Sequence, residues 1–332
     1  MNFCILGAGA WGTAMAVHLA RNGQTTTLVP RHYEQALTLA SERENKLYLP
    51  GIELEQEIQI SCETMPALME AEVVLIACPV AGLNVIANSI NEAVPSAWRA
   101  HTFLTLCKGW EANSSLPPPS FMKRHLKDHH IGVLSGPNNA MEVAEGKPAA
   151  IVLATDKNSS AISIQKAISD EKLRVYTSND VTGVSLGGAL KNIYSIGAGI
   201  CVGLGLGDNA TAAFLTRALH EMVKIGTKLG GRVESFYGLS GFGDLVATST
   251  GNWSRNRTFG VEIGKGNAVE KLLLDRRTVV EGFNATETFH QICKQKKIET
   301  PILEETFGIL HEGKSPSNAL HKLMTRNLRN ES

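Results

Sequence analysis

Lys191 and Asn192 lie inside an apolar, glycine-rich stretch, Gly187-Gly188-Ala189-Leu190-Lys191-Asn192-Ile193. An ammonium there is stripped of water, and desolvation disfavours its charged form. That condition suits a general acid or base working on the hydroxyl proton of a secondary alcohol. A lysine that snorkels along a helix surface has the same local sequence. Gly241-Phe242-Gly243-Asp244-Leu245 adds a carboxylate after a glycine pair, with Thr248 one helical turn later. Asp244 can pair with Lys191 and fix its position; alone it reads as a helix N-cap. Ser254-Arg255-Asn256-Arg257 is dense in donors, and Arg255 suits two phosphate oxygens, although a solvated basic turn is composed alike. Lys108-Gly109 and Gly136-Pro137-Asn138-Asn139-Ala140 each follow an apolar run, at the carboxyl edge where open sheets bind ligands. Five such segments point to one reactive cleft.

A second signal opens the chain. Phe3-Cys4-Ile5-Leu6 leads into Gly7-Ala8-Gly9-Ala10-Trp11-Gly12, and a helical pattern follows. Gly7 permits a tight turn, Gly9 lets the backbone approach a pyrophosphate, and Gly12 lets the helix pack closely on the strand. The phosphates then face the helix N-terminus, where N–H groups and the dipole favour negative charge. Glycines also serve ordinary turns, but the strand before and helix after are the context this motif requires. An NAD-selective site places Asp or Glu after the second strand to accept from the ribose 2′-hydroxyl. Here Val29-Pro30-Arg31-His32 stands, with no acid before Glu34. Arg31 is either a solvated side chain or a charge-assisted partner of a 2′-phosphate. NADPH is therefore expected to bind at least as well as NADH.

Rigid elements must hold these groups. Apolar runs read as strands at Asn2–Leu6, Thr26–Val29, Val73–Cys78, Thr102–Leu106, Ile131–Leu134, Ala150–Ala154 and Arg174–Thr177. Helical spacing lies between several of them, at Trp11–Arg21, Tyr33–Ala40, Ala81–Ile90, Phe121–Lys127 and Ala161–Ile168. This alternation predicts an α/β fold with an N-terminal, Rossmann-type, doubly wound sheet over residues 1–180. Beyond Asp180 only helical patterns remain, at Val181–Leu204, Ala210–Leu229, Val261–Lys265, Val269–Leu274, Ala285–Lys294 and Pro301–Leu310. Residues 181–332 are thus expected to form an all-helical, substrate-binding domain, packed tightly on the first around a cleft. Seven glycines between Gly183 and Gly205 would weaken an isolated helix. They make sense if other backbones approach it closely.

Composition narrows the partners. The chain has 332 residues, 43% of them hydrophobic, enough for two globular domains. Lys+Arg and Asp+Glu are each 32, so no net field draws it to nucleic acid or an anionic membrane. A bound anion needs a local cluster of cations, which points to a small-molecule substrate. Six scattered cysteines without a C-x-x-C pair fit reduced thiols. The apolar run Phe3–Leu6 is far shorter than a secretory segment, and Ile193–Leu206 falls short of the ~20 residues that span a bilayer. A cytoplasmic protein without an integral membrane segment is expected. His129-His130 and the other histidines lack metal-ligand spacing, so no metal is assigned.

Together these motifs closely resemble those of the bacterial NAD(P)-dependent glycerol-3-phosphate dehydrogenases. The match covers nearly the whole chain: the glycine turn through Thr13, Lys108-Gly109-Trp110-Glu111, Gly136–Ala140 and Leu190-Lys191-Asn192. It continues through Gly238-Leu239-Ser240-Gly241-Phe242-Gly243-Asp244, Ser254–Arg257 and Val279-Val280-Glu281-Gly282. The resemblance implies interconversion of sn-glycerol 3-phosphate and dihydroxyacetone phosphate with NADP or NAD, supplying glycerol 3-phosphate to phospholipid synthesis. It makes Lys191 the proton acceptor. It implies substrate contacts from Lys108, Gly136, Asn138, Asp244, Ser254, Arg255 and Asn256, with Asn192 and Thr248 at polar positions around the substrate. Trp11, Arg31, His32, Lys108, Ala140, Arg255, Val279 and Glu281 fall near the dinucleotide, beside Gly7, Gly9, Ala10 and Gly12 of the turn. A homodimer is implied as well. Ala10 replaces a common Ser, Asn138 a Ser or Thr, Asn139 an aromatic residue, and Pro30 interrupts the usual approach to Arg31.

Two other readings stay open at this point. One is a different two-domain dehydrogenase with a helical lysine, acting on a 3-hydroxyacid or 6-phosphogluconate; the Ser254–Arg257 segment argues against it. The other is a regulatory NADPH sensor, which would not need Lys191, Asp244 and Arg255 together.

Overall fold

The computed structural model describes residues 1–93, 102–111, 114, 116–156, 158–274, 280–328 and 330–331. By internal contacts the chain divides into two units, Met1–Ser185 and Leu186–Ser332.

The first unit begins β1 (Asn2–Leu6), α1 (Ala10–Arg21), β2 (Thr25–Val29), α2 (Tyr33–Glu42), β3 (Glu44–Asn45), β4 (Leu49–Glu53) and β5 (Gln59–Ile60). It continues α3 (Thr64–Glu70), β6 (Val73–Ile76), α4 (Leu83–Ala93), β7 (Thr102–Thr105), α5 (Pro118–His125) and β8 (His130–Ser135). It closes with α6 (Ala140–Ala144), β9 (Ala149–Thr155), α7 (Asn158–Ile168) and β10 (Leu173–Ser178). Eight strands form one sheet in the order β10-β9-β8-β7-β6-β1-β2-β5, while β3 and β4 pair separately. Within the eight-stranded sheet all pairs are parallel except β8 with β9.

Alternation along the strands accounts for the two covered faces. Phe3 and Ile5 of β1 join one apolar layer with Met15, Leu19 and Leu39, whereas Cys4 and Leu6 join another with Leu68, Leu83 and Ile90. Strands buried on both faces belong to a doubly wound sheet. The chain reverses its direction of travel at β1, which has β2 on one side and β6 on the other. Open sheets of this kind bind ligands outside the carboxyl ends of strands at such a switch point. The glycine turn follows β1 at that place.

The second unit holds most of α8 (Val181–Gly203), then α9 (Gly207–Lys228), α10 (Val233–Tyr237), a π-helical turn (Leu239–Gly243) and α11 (Asp244–Thr250). After these come α12 (Arg255–Gly264), α13 (Val269–Leu274), α14 (Glu281–Gln295), α15 (Pro301–His311) and α16 (Pro316–Met324). Its core gathers Ile196 and Ile200 of α8 with Phe259 and Ile263 of α12. Glycines set that crossing: a Cβ on Gly260 would lie 2.0 Å from the Ile196 carbonyl oxygen, and one on Gly199 would lie 2.1 Å from that of Arg257. The glycine-rich helix is indeed met backbone to backbone.

Several element boundaries differ from expectation, two of them for identifiable reasons. The helix expected at Phe121–Lys127 instead starts at Pro118, since proline fits the first helical turn. The one expected at Val261–Lys265 starts at Arg255, because the Ser254 side chain caps it. Among the described residues no helix is long and apolar enough to cross a membrane.

Candidate active site

A buried polar cluster of the second unit is built on two helices. Lys191 projects from α8, while Asp244 opens α11 with Thr248 one turn later on the same face. Lys191 Nζ donates to Asp244 Oδ1 at 3.0 Å and to Thr248 Oγ1 at 2.6 Å. Thr248 Oγ1 in turn donates to Asp244 Oδ1 at 3.2 Å. Lys191 is 5% exposed and Asp244 0%. A buried ammonium needs both a counter-charge and acceptors for its protons, and these two side chains supply them. The π-helical turn sets their direction: Gly243 N–H donates to Gly238 O at 3.1 Å, a bond across five residues rather than four.

Beside this cluster, Asn256 Nδ2 donates to Asn192 Oδ1 at 3.0 Å, and Gly282 N–H donates to Asn256 Oδ1 at 3.1 Å. Asn256 thereby ties α8, α12 and the start of α14 together, with Glu281 as the first residue of α14. Ser254 is buried, and its Oγ accepts from Arg257 N–H at 3.2 Å. Arg255 is the first residue of α12 and exposed, with no acid in that first turn. A guanidinium at a helix N-terminus suits an anion. Val279 lies outside the described residues.

A third polar tie lies behind Lys191. Tyr194 OH donates to Glu221 Oε1 at 3.0 Å, and Glu221 also accepts from Ile302 N–H at 3.0 Å and Leu303 N–H at 2.8 Å. Burial pushes the Glu221 carboxyl up to about 7, against the pull of those backbone donors and the tyrosine. Burial likewise raises the Tyr194 hydroxyl.

In the first unit the glycine turn has the shape a diphosphate needs. Gly7 adopts φ +113°, and a Cβ there would lie 2.3 Å from the Ala77 carbonyl oxygen. A Cβ on Gly12 would lie 2.0 Å from Gly7 O, whereas one on Gly9 would meet nothing within 4 Å. The space beside Gly9 is what an approaching ligand requires. Ala10 and Trp11 open α1, and the buried Trp11 Nε1 has no hydrogen-bond partner among the described residues. Arg31 and His32 lie exposed just past β2. These features fit a dinucleotide.

Lys108, past the end of β7, donates from Nζ to Gly136 O at 2.7 Å and to Asn138 Oδ1. Asn138 Nδ2 is buried without a partner among the described residues, which leaves it a donor to offer. Asn139 caps α6, accepting from Met141 N–H at 3.0 Å and Glu142 N–H at 3.2 Å, and Ala140 begins that helix. Among the described residues no three His, Cys, Asp or Glu side chains group to hold a metal.

Sequence spacing gives no sign of two further residues at the turn. Asn45 Nδ2 donates to Ala8 O at 3.0 Å and to Thr13 Oγ1 at 2.7 Å, and Gln35 Nε2 donates to Ala8 O at 3.0 Å. Only an asparagine three residues after the end of α2 could have drawn attention to Asn45.

Comparisons with known proteins agree along the whole chain. Two family models match: the NAD-dependent glycerol-3-phosphate dehydrogenase N-terminus over residues 2–161 and the C-terminus over residues 180–321. The chain is 41% identical over 331 residues to a Thermoanaerobacter protein named glycerol-3-phosphate dehydrogenase, NAD(P)+, covering 100% of this chain and 99% of that one. A Nitrosomonas eutropha protein of the same name is 40% identical, over 98% of each chain. The crystal structure of glycerol-3-phosphate dehydrogenase from Coxiella burnetii matches with a TM-score of 0.92 at 33% identity, over 98% of this chain and 99% of that one.

Proposed function

Since the chain belongs to the NAD-dependent glycerol-3-phosphate dehydrogenase family, we propose that it interconverts sn-glycerol 3-phosphate and dihydroxyacetone phosphate with NAD(P). The observation that carries this is the buried Lys191–Asp244–Thr248 cluster, a proton carrier held by a carboxylate and a hydroxyl. When bound, the nicotinamide takes the C2 hydride in oxidation and returns it in reduction. Lys191 Nζ accepts the C2 hydroxyl proton as the carbonyl forms, and gives it back in the reverse direction. Two of the three ammonium protons go to Asp244 and Thr248, so the third is the one directed at the substrate oxygen. Asp244 stabilises the ammonium once it forms. Lys108 and Asn192 oppose the negative charge developing on the C2 oxygen. Arg255 and the first turn of α12 hold the phosphate, with Gly136, Asn138 and Ser254 as further substrate contacts. Asn256 acts through Asn192, which it fixes.

Gly7 to Gly12, Trp11 and Ala140 are assigned to the dinucleotide, as are His32, Glu281 and Val279. Arg31 is assigned to the 2′-phosphate. In this reading residues 1–180 bind the cofactor and residues 181–332 supply the base and the phosphate site. The enzyme works in the cytoplasm as a homodimer and supplies glycerol 3-phosphate to phospholipid synthesis. Following NADPH oxidation with dihydroxyacetone phosphate tests the reaction and separates it from 3-hydroxyacid or 6-phosphogluconate chemistry. Lys191→Ala protein should keep its cofactor affinity and lose roughly 10²–10⁴-fold in kcat. Near-normal turnover would remove Lys191 from the mechanism.

A further inference from the structure

We infer that Asn45, assisted by Gln35, is a positioning residue that aims the glycine turn at the cofactor diphosphate, an inference that rests on the dinucleotide assignment above. The Ala8 carbonyl and the Gly9 N–H belong to one peptide. In a trans peptide the oxygen and the hydrogen point in opposite directions. Asn45 Nδ2 and Gln35 Nε2 both donate to Ala8 O, each at 3.0 Å, drawing that carbonyl to one side. The Gly9 N–H must then face the other way. Two donors on one oxygen also fix the peptide plane against rotation, since any rotation strains both bonds.

The same amide locks the next turn of chain. Asn45 Nδ2 donates to Thr13 Oγ1 at 2.7 Å, and Thr13 N–H donates to Gly9 O at 3.0 Å. Ala8, Gly9 and Thr13 are thereby held as one body with the start of α1, whose first N–H groups face an anion. Asn45 is itself well anchored and 3% exposed. Just before it, Arg43 ends α2 in the left-handed region at φ 52°. The Arg43 guanidinium donates to Ile58 O at 3.1 Å and also to Glu55 O. An amide suits the position because it offers two protons to two oxygens. A carboxylate there would repel Ala8 O and add negative charge behind the diphosphate.

The diphosphate is common to NADH and NADPH, so the effect must be the same for both. That separates it from Arg31, which acts on the 2′-phosphate alone. The test is direct titration of full-length protein with NADPH and with NADH, read by nucleotide fluorescence, for wild type, Asn45→Asp and Gln35→Ala. Asn45→Asp is expected to raise both dissociation constants by about tenfold, the scale of one or two lost hydrogen bonds. Its kcat at saturating cofactor should stay within about twofold of wild type. Gln35→Ala, on the partly exposed side of α2, should shift both constants in the same direction by a smaller factor, about threefold. Unchanged constants, a loss confined to one cofactor, or a fall in saturated kcat would each overturn the inference. Should Asn45→Asp fail to fold, Gln35→Ala decides alone, and no shift in either constant overturns it. Wild-type protein that bound neither nucleotide would instead remove the dinucleotide assignment itself.

Discussion

Asp244 and Thr248 replace the water that a buried Lys191 ammonium gives up. Removing one member of a buried ion pair strands the other, at a cost of about 3–5 kcal/mol. Asp244→Ala should therefore lower stability by about that amount in denaturant melts. A Lys191→Met, Asp244→Leu double variant should recover most of it while remaining inactive. At the cofactor, Arg31→Ala should weaken NADPH binding by about 10- to 100-fold, the worth of a charge-assisted hydrogen bond, and leave NADH unchanged. Lys191 and Asp244 are legible in sequence because a charge in an apolar helix and a carboxylate after paired glycines are both conspicuous. Ser254 and Asn256 are only half legible, since their composition suggests donors for a ligand. In the fold the Ser254 hydroxyl caps α12, and the Asn256 amide joins Asn192 to Gly282. Asn45 is invisible because its partner Ala8 lies 37 residues away and its own neighbourhood carries no motif.

Among the elements, α8 meets α12 through glycines, and the crossing leaves no room for a methyl group. Gly260→Ala would push a Cβ to within 2.0 Å of Ile196 O. Equilibrium unfolding should show a loss of at least about 1–3 kcal/mol, the usual cost of overpacking. A different element, α15, is tied down by Glu221. In the native protein that carboxyl keeps its proton up to about pH 7, against an ordinary value of 4.5. Between those two values the native state binds more protons than the unfolded chain, so stability falls as pH rises and levels off above about 7. The full shift corresponds to roughly 3 kcal/mol. Urea melts from pH 5 to pH 8 should show this slope, and Glu221→Gln should flatten it. Long strands such as β1 and β9 are legible from their apolar runs, whereas two-residue β3 and β5 carry too few side chains to show a period. The π-helical turn is hidden too, because glycines there suggest a loop and the bond from Gly243 to Gly238 has no compositional mark.

Over the whole molecule, the change from strands alternating with helices to helices alone is visible in the sequence, since the short continuous apolar runs of buried strands stop and only helical spacing remains. Charge is the other global property. With 32 cationic and 32 acidic side chains and a pI near 7.1, the protein has almost no net charge at neutral pH. Colloidal repulsion is weakest there. Solubility measured across pH should pass through its minimum close to pH 7 and rise on either side; a minimum well away from neutrality would mean that local patches dominate. The same balance predicts weak retention on both anion and cation exchangers at neutral pH. Affinity for a phosphorylated substrate must come from cations placed locally, the role proposed above for Arg255.

The π turn at Leu239–Gly243 makes chain length itself a determinant of the reaction. A π turn holds one residue more than the α-helix it would otherwise be, and each helical residue advances the chain by about 100°. Phe242 is 42% exposed, so trimming its side chain to Ala should be tolerated. Deleting Phe242 altogether would leave the five-residue bond one residue short, so the turn must either tighten or draw Tyr237 in, and either change moves Asp244 relative to Lys191. Substitution and deletion at this one position should therefore give opposite outcomes in an activity assay. Between Gly238 and Asp244 the number of residues is constrained as well as their identity, since a Cβ on Gly241 would lie 2.2 Å from Phe236 O.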